Sequence, residues 1–575
     1  MGVDNSKALW EAEEEDLPLL EMTIGDLLDQ QAEMFPDVEA LVYRYPEAGL
    51  SMRLTYGQYQ TEANRLAKGL IAIGVKAGQH VAVWATNVPE WALLQAAVAK
   101  VGGVLVTVNT NYRASELEYV LRQGDVSTLF MIPAYRDNSF LDAIYSVAPE
   151  LKSLNDPSIE TLHAEKLPEL KRVVFIDASL QPGLLPYPQV LEMGNYISDS
   201  ELKVRQESVS PQDVAQMQFT SGTTGFPKGV QLTHYGMVNN ARLSSPRMDF
   251  KRGDRLVTPM PFFHVAGSVL SLIGPIAAGA TLIPLITFDP GKQLELIDKE
   301  RATHSAAVPT MLIAILNHPN FESYDLSSLR NIGSGGSPVP VSLMEQVNTR
   351  MGCDVWIIYG MTESSCSTTF SLMQDEPELK IGTVGVPIAH TSVKIVNPQT
   401  GETANFGEQG ELCIRGFLVT KGYYKMPEKT AETIDKEGWL HSGDLATMND
   451  RGYINIVGRV KDMVIRGGEN IFPAEIEAFL MRHPKIADAQ IIGVPDAFMG
   501  EEVVALLRLK PGEDSNEDEI RAYCRTGISR QKTPRYFRFV SEFPLTASGK
   551  VKKFEIREQL IKELGLEKIA KLKMA

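Results

Sequence analysis

The sequence predicts an α/β protein: a large N-terminal domain of two βα-layered subdomains plus a β-barrel-like subdomain, then a small α+β C-terminal domain. Three observations carry this expectation. Through the first two-thirds of the 575 residues, short apolar runs alternate with helical patterns. From about Gly382 the pattern turns to apolar–polar alternation between Gly- and Asn-rich turns, the signature of antiparallel strands. Beyond Gly458 a compact mixture of helix and strand patterns closes the chain. A single core rarely grows past about 250–300 residues, so more than one domain is required.

The elements follow in order. "HVAVWA" reads as a strand, and "NVPEWALLQAAVAK" as a helix with Asn87 as N-cap and Pro89 in its first turn. "GGVLVTVN" returns as a strand, which completes a βαβ unit and implies a parallel, buried sheet. Between Leu151 and Gln212 the chain is polar around the strand-like "KRVVFID". The rhythm resumes with "RLVTPMP", a helix near Gly267–Ala278, "ATLIPL", a helix near Pro290–Arg301 and "HSAAVP". After the β-rich stretch, about 382–458, "PAEIEAFLMRHP" reads as a helix, "DAQIIGVP" and "EVVALLRLK" as strands, and a last helix starts near Ser515. The boundaries expected are 1–458, a hinge at 459–463 beginning in "GRVKD" (458–462), and 464–575.

Composition excludes several functions. With 44% hydrophobic and 22% charged residues the chain is an ordinary globular protein, and a net charge of −16 argues against nucleic acid or an acidic membrane surface as partner. Any anionic ligand must be held by local cations and backbone amides. The four cysteines, Cys353, Cys366, Cys413 and Cys524, form no CxxC pair, which argues against a zinc site or disulfide framework and fits a reducing, cytoplasmic setting. "MGVDNSKALWEAEEEDLPLL" has no signal-peptide pattern; Gly2 and Ser6 match the loose myristoylation pattern, but acidic residues follow. The uncharged stretch Leu256–Phe288 contains Pro259, Pro261, Pro275 and Pro284, so it reads as buried core and not as a membrane span.

One stretch demands a function. "FTSGTTGFPKGVQLTH", 219–234, places a glycine–threonine loop between two strand-like runs, unlike a linker with undirected flanks. Glycines let successive backbone N–H groups converge on one anion. Hydroxyls at Thr220, Ser221, Thr223 and Thr224 add donors, and Lys228 adds a point charge. It is not a Walker A loop, because Gly229 and Val230 follow the lysine. On the residues alone, phosphate binding competes with a purely structural turn.

"TSGTTGFPKG" resembles the signature loop of the adenylate-forming superfamily of acyl- and aryl-CoA synthetases, peptide-synthetase adenylation domains and luciferases. "PFFHVAG" (261–267), "GSGGSP" (333–338), "YGMTE" (359–363), "HSGDL" (441–445), "GRVKDMVIRGGENIFPAEIE" (458–477) and "PLTASGKVKK" (544–553) follow in the family's order. Their collinearity carries the resemblance where no single motif would. It implies an AMP-forming carboxylate–CoA ligase using ATP, Mg²⁺ and CoA. A carboxylate attacks the α-phosphate to give an acyl-adenylate and pyrophosphate; a thiol then releases AMP.

The resemblance also implies roles. Thr220, Ser221, Gly222, Thr223, Thr224, Gly225 and Lys228 would hold the β- and γ-phosphates. Thr362 and Glu363 would meet the α-phosphate and Mg²⁺, with Glu363 as the metal ligand. Asp444 would bind the ribose, assisted by Arg459, and Tyr359 would stack on adenine beside the backbone of Gly335, Gly336 and Ser337. Lys550 would bridge the carboxylate and α-phosphate, delivered by a mobile C-terminal domain turning at Lys461. Gly467 and Gly468 would line the pantetheine tunnel. Taken singly, Lys550 could equally be one of a solvated lysine cluster, Asp444 a turn residue, Glu363 a helix-end acid and Tyr359 a core aromatic.

The acyl pocket implied comprises His264, Val265, Gly335, Gly360 and Met361. No acid stands near His264 to pair an ammonium, so an amino acid is disfavoured. Acetyl-CoA synthetases carry tryptophan at the position of Gly360, and glycine implies a larger acid: medium-chain, alicyclic or aromatic. Alternatives kept are transfer to a carrier-protein thiol, a non-catalytic nucleotide sensor and a P-loop NTPase. Both half-reactions are reversible, so the sequence leaves open ATP synthesis in reverse, as it does monomer against homodimer.

Overall fold

The computed structural model describes residues 6–11, 17–220, 227–336, 339–466, 469–545 and 551–572. The chain divides into two compact units: Trp10–Val393 with Ile414–Leu440, and Met1–Leu9 with Lys394–Cys413 and His441–Ala575.

The first unit is built on two sheets, as the alternating pattern predicts. The seven-stranded sheet runs Leu185–Pro186, Arg172–Phe175, Val126–Met131, His80–Trp84, Val104–Thr107, Val214–Thr220, Lys228–Thr233. Its inner pairs are parallel, and His80–Trp84 is buried throughout, which accounts for its unbroken apolar run. The nine-stranded sheet runs Val386–Pro387, Thr369–Phe370, Asp354–Tyr359, Asn331–Gly335, His304–Ala306, Arg255–Thr258, Thr281–Pro284, Glu39–Tyr45, Leu50–Thr55. Its centre is parallel and its ends antiparallel.

The last strand of the seven-stranded sheet, Lys228–Thr233, does not leave its outer edge bare. Gln231 N–H donates to Gly422 O at 3.0 Å, Tyr424 N–H to Gly229 O at 2.8 Å and Lys421 N–H to Gln231 O at 3.2 Å.

Helix Pro89–Lys100 has Pro89 at its start, but Asn87 is not its cap. Val88 holds that position and makes no side-chain capping bond. The Asn87 amide instead donates to Met260 O (3.0 Å) and Leu285 O (2.9 Å) and accepts from Phe262 N–H (2.9 Å). Buried main-chain groups of Met260, Phe262 and Leu285 outbid the local cap, because leaving them unpaired would cost about 1–3 kcal/mol each.

The helix expected near Gly267–Ala278 begins as a π-helix, Ala266–Ile273, and becomes α-helical at Gly274–Ala278. Pro275 sits in the first turn of the α-helical segment, where its missing N–H costs no ladder bond. No helix among the described residues is long and apolar enough to cross a membrane.

A five-stranded sheet runs Leu9–Trp10, Thr391–Val396, Gly410–Gly416, Leu440–Met448, Ile454–Arg459. In the second unit, Ile486–Asp496 and Gly500–Leu509 form a long antiparallel hairpin, with helices Pro473–Leu480 and Glu517–Gly527 as the sequence predicts. Its core gathers Val464, Ile476, Leu480, Ile491 and Phe537.

Candidate active site

The glycine–threonine loop closes a hairpin. Strand Val214–Thr220 pairs antiparallel with Lys228–Thr233, and Thr220 faces Lys228 across the ladder. Thr220 and Lys228 therefore stand side by side where the two strands end. Lys228 Nζ stands 4.0 Å over the ring of Tyr423, a cation–π contact. Burial pulls its ammonium below the usual lysine range, opposed first by the charge of Glu363. A cation kept partly desolvated gains when an anion arrives, so the pair suits a phosphate.

Tyr423 links this lysine to the "YGMTE" turn: its hydroxyl donates to Glu363 Oε1 at 2.9 Å. Burial, then Glu363, raises the phenol above its ordinary range, so it stays a donor. Glu363 lies in the short 3₁₀ turn Thr362–Ser364, 7% exposed, with its main-chain oxygen accepting from Thr420 N–H at 2.8 Å. A buried carboxylate oriented through one oxygen is the hard donor that Mg²⁺ requires, and the residues present fit that ion.

The turn after Glu363 is strained. Ser365 (φ 54°) and Cys366 (φ 110°) both have positive φ. Asn240, fully buried, holds them there: its amide donates to Ser367 O (2.8 Å) and Ser364 O (3.4 Å) and accepts from Ser367 N–H (3.0 Å). Ser365 Oγ donates to Leu418 O at 2.7 Å. The same turn dictates Gly360, where a Cβ would lie 1.6 Å from Cys366 O. Glycine is thus imposed by the backbone here, whatever space it also leaves for an acyl group. Gly335 is under similar pressure, with Ile358 O 2.5 Å from a Cβ.

Tyr359, half-buried, ends strand Asp354–Tyr359, and Gly336 (φ 76°) ends the neighbouring strand's exit. His264 Nδ1 accepts from Ala266 N–H at 3.3 Å, which fixes the ring against its own segment; Val265 beside it is buried. Met361 N–H donates to Ser364 Oγ at 3.1 Å.

In the second unit, Asp444 and Arg459 face each other across paired strands, with Arg459 Nε 2.9 Å from Asp444 Oδ1. Asp444 is 6% exposed and Arg459 exposed. Glu411 Oε1 accepts from Gly443 N–H at 3.0 Å, and Glu411 Oε2 lies 2.8 Å from His441 Nδ1. Lys461 belongs to the 3₁₀ turn Val460–Asp462.

Residues 28–424 match the family described as AMP-binding enzyme, and residues 475–550 match the AMP-binding enzyme C-terminal domain. The chain belongs to the AMP-binding enzymes. It is 44% identical over 549 residues to the putative acyl-CoA synthetase YngI of Bacillus subtilis (strain 168), covering 95% of this chain and 99% of that one. It is 41% identical over 558 residues to the mitochondrial medium-chain acyl-CoA ligase ACSF2 of Mus musculus, covering 96% and 89%. Among solved structures, the anthranilate CoA ligase AuaEII in complex with anthranoyl-AMP superposes with a TM-score of 0.80 at 26% identity, covering 95% and 98%. The α/β fold with a separate C-terminal domain is therefore that of the AMP-binding enzymes.

Of the site residues the motifs point to, the structure pairs Thr220 with Lys228, joins Lys228 and Glu363 through Tyr423, and pairs Asp444 with Arg459. Ser221, Gly222, Thr223, Thr224, Gly225, Ser337, Gly467, Gly468 and Lys550 lie outside the described residues. Sequence reasoning missed Tyr423 and Asn240. An aromatic pair between glycine and lysine in "KGYYK" was the one local signal for Tyr423; Asn240, inside helix His234–Arg247, gave none.

Proposed function

We propose that this AMP-binding enzyme is an acyl-CoA ligase that activates a medium-chain monocarboxylic acid with ATP and Mg²⁺ and transfers it to CoA. Lys228 and Thr220, with the loop between them, hold the phosphates that leave as pyrophosphate. Glu363 holds Mg²⁺, which when bound neutralises phosphate charge. Tyr423 keeps that carboxylate aimed, Asp444 and Arg459 take the ribose, and Tyr359 with Gly335, Gly336 and Ser337 the adenine. Lys550 meets the junction of acid and α-phosphate as the C-terminal domain, 464–575, turns about Lys461. Gly467 and Gly468 then flank the CoA arm, and His264, Val265, Gly360 and Met361 wall the acyl chain.

The observation that carries the reading is the Lys228–Tyr423–Glu363 chain, which links the phosphate hairpin to a carboxylate suited to a hard cation. The acyl length is supported by ACSF2, whose name is medium-chain acyl-CoA ligase and which shares 41% of aligned residues. The test is acid-dependent exchange of labelled pyrophosphate into ATP across straight-chain, alicyclic and aromatic acids, followed by thioester detection with CoA. Exchange greatest for medium-chain acids is expected. No exchange with any acid overturns the ligase, and exchange without CoA thioester moves the acceptor to a carrier-protein thiol.

A further inference from the structure

We propose that Glu411, Cys413 and His441 form a binding site for a thiophilic divalent cation such as Zn²⁺, distinct from the Mg²⁺ position at Glu363. Alternation along strand Gly410–Gly416 puts Glu411 and Cys413 on one face, and the adjacent strand Leu440–Met448 brings His441 beside them. One carboxylate oxygen, one thiol sulfur and one imidazole nitrogen lie within 4.8 Å of one another, the one such grouping of three among the described residues.

The separations suit coordination. His441 Nδ1 is 2.8 Å from Glu411 Oε2 and 3.5 Å from Cys413 Sγ. Metal bonds of about 2.0–2.3 Å in a tetrahedron place donor atoms roughly 3.3–3.8 Å apart, so the His441–Cys413 pair already fits and the His441–Glu411 pair needs to open by only about half an ångström. Three protein ligands leave the fourth position to water. The sulfur and nitrogen donors favour Zn²⁺, whereas Mg²⁺ demands an octahedron of oxygens. Cys413 is fully buried while Glu411 and His441 are half-buried, which leaves an approach past the latter two. Glu411 is anchored from behind by the Gly443 amide, the kind of outer contact that orients a metal ligand. On binding, the cation replaces the thiol proton and the proton shared between His441 and Glu411; both protons go to solvent and no electrons move.

The scattered cysteines gave no hint of this, because the donors come from two strands 28 positions apart in sequence, Cys413 and His441. Through the Gly443 amide on Glu411 Oε1, the ion's charge would bear on the backbone next to Asp444. Zinc is then expected to raise KM for ATP, a consequence that, unlike the site itself, rests on the ribose role of Asp444.

The experiment titrates metal-stripped full-length protein with Co²⁺ and follows absorption. One equivalent is expected to bind with a thiolate-to-cobalt band, displaced by Zn²⁺ and indifferent to excess Mg²⁺. Cys413→Ser should abolish the band, and His441→Gln should weaken binding by about tenfold or more. A band that survives Cys413→Ser, or no saturable binding, overturns the site. Should the variants fail to fold, wild-type crystals soaked with Zn²⁺ decide: an anomalous peak bonded to Cys413 Sγ supports the site, and a peak only elsewhere overturns it. Zinc binding with KM for ATP unchanged would overturn this coupling to Asp444 and leave the binding site standing.

Discussion

Tyr423 donates its hydroxyl to Glu363 at 2.9 Å while its ring face carries the Lys228 ammonium at 4.0 Å. One side chain thus holds an anion by its tip and a cation by its face, and keeps the two from collapsing into a salt bridge that would neutralise both. Removing the tip alone separates these functions. Tyr423→Phe should lose a hydrogen bond to a charged acceptor, about 1.5–3 kcal/mol or roughly 10–100-fold, expressed as a weakened dependence on Mg²⁺. Pyrophosphate exchange measured against Mg²⁺ concentration checks this, and an unchanged Mg²⁺ midpoint would remove Tyr423 from the site.

Asn240 restrains the strained Ser365–Cys366 turn through three hydrogen bonds. Asn240→Ala leaves buried main-chain groups of Ser364 and Ser367 unpaired, at about 1–3 kcal/mol each. The loss should show in denaturant midpoint and, because Glu363 begins the turn, in kcat as well. A stable but inactive Asn240→Ala would give the turn a wholly catalytic role; a destabilised but fully active one would detach it from Glu363.

Gly360 offers a test of backbone against pocket. A Cβ there meets Cys366 O at 1.6 Å, so even Gly360→Ala should cost adenylation with every acid. If Gly360→Ala merely shifted preference toward shorter acids at undiminished kcat, space in the pocket and not the turn would govern this position.

Two histidines make stability fall with acid. Burial lowers His234 from the usual 6.5 to about 4, and burial likewise lowers His304 to about 4 against the opposing pull of Asp254. Both are neutral in the fold, so the unfolded chain takes up protons first as pH drops below 6.5. Their contribution is complete above that value and is lost progressively down to about 4, at up to about 1.4 kcal/mol per pH unit for each ring. Carboxylates such as Glu39, held at about 2 by Arg53 against its own desolvation, add their losses from about 4.5 downward, at the acid end of this window and below it. Urea midpoints between pH 6.5 and 4 should show this slope, and His304→Gln should reduce it.

The βαβ rhythm, the strands around the glycine–threonine loop and the C-terminal elements were legible because each is written in local periodicity. "AQMQF" and "GVQLT" flank their loop as strands, and the ladder pairs them. What stayed hidden depends on distant partners. Asn87 carries a plausible cap signal, yet acceptors some 170 to 200 positions away claim its amide. Tyr423 lies 60 positions from Glu363, and no spacing rule connects them. Gly360 read as an absence of bulk, whereas the crowding that excludes a side chain comes from a carbonyl six residues on, visible only once the turn is folded.

The segment around Gly422 and Tyr424, hydrogen-bonded along the outside of Lys228–Thr233, acts as a selvedge on the larger weave. Without it, the amides and carbonyls of that strand would offer a ready template to another chain. A fragment ending at Val393 would keep both sheets of the first unit but expose this seam. It should precipitate or pair with itself, while one carried through Leu440 should not.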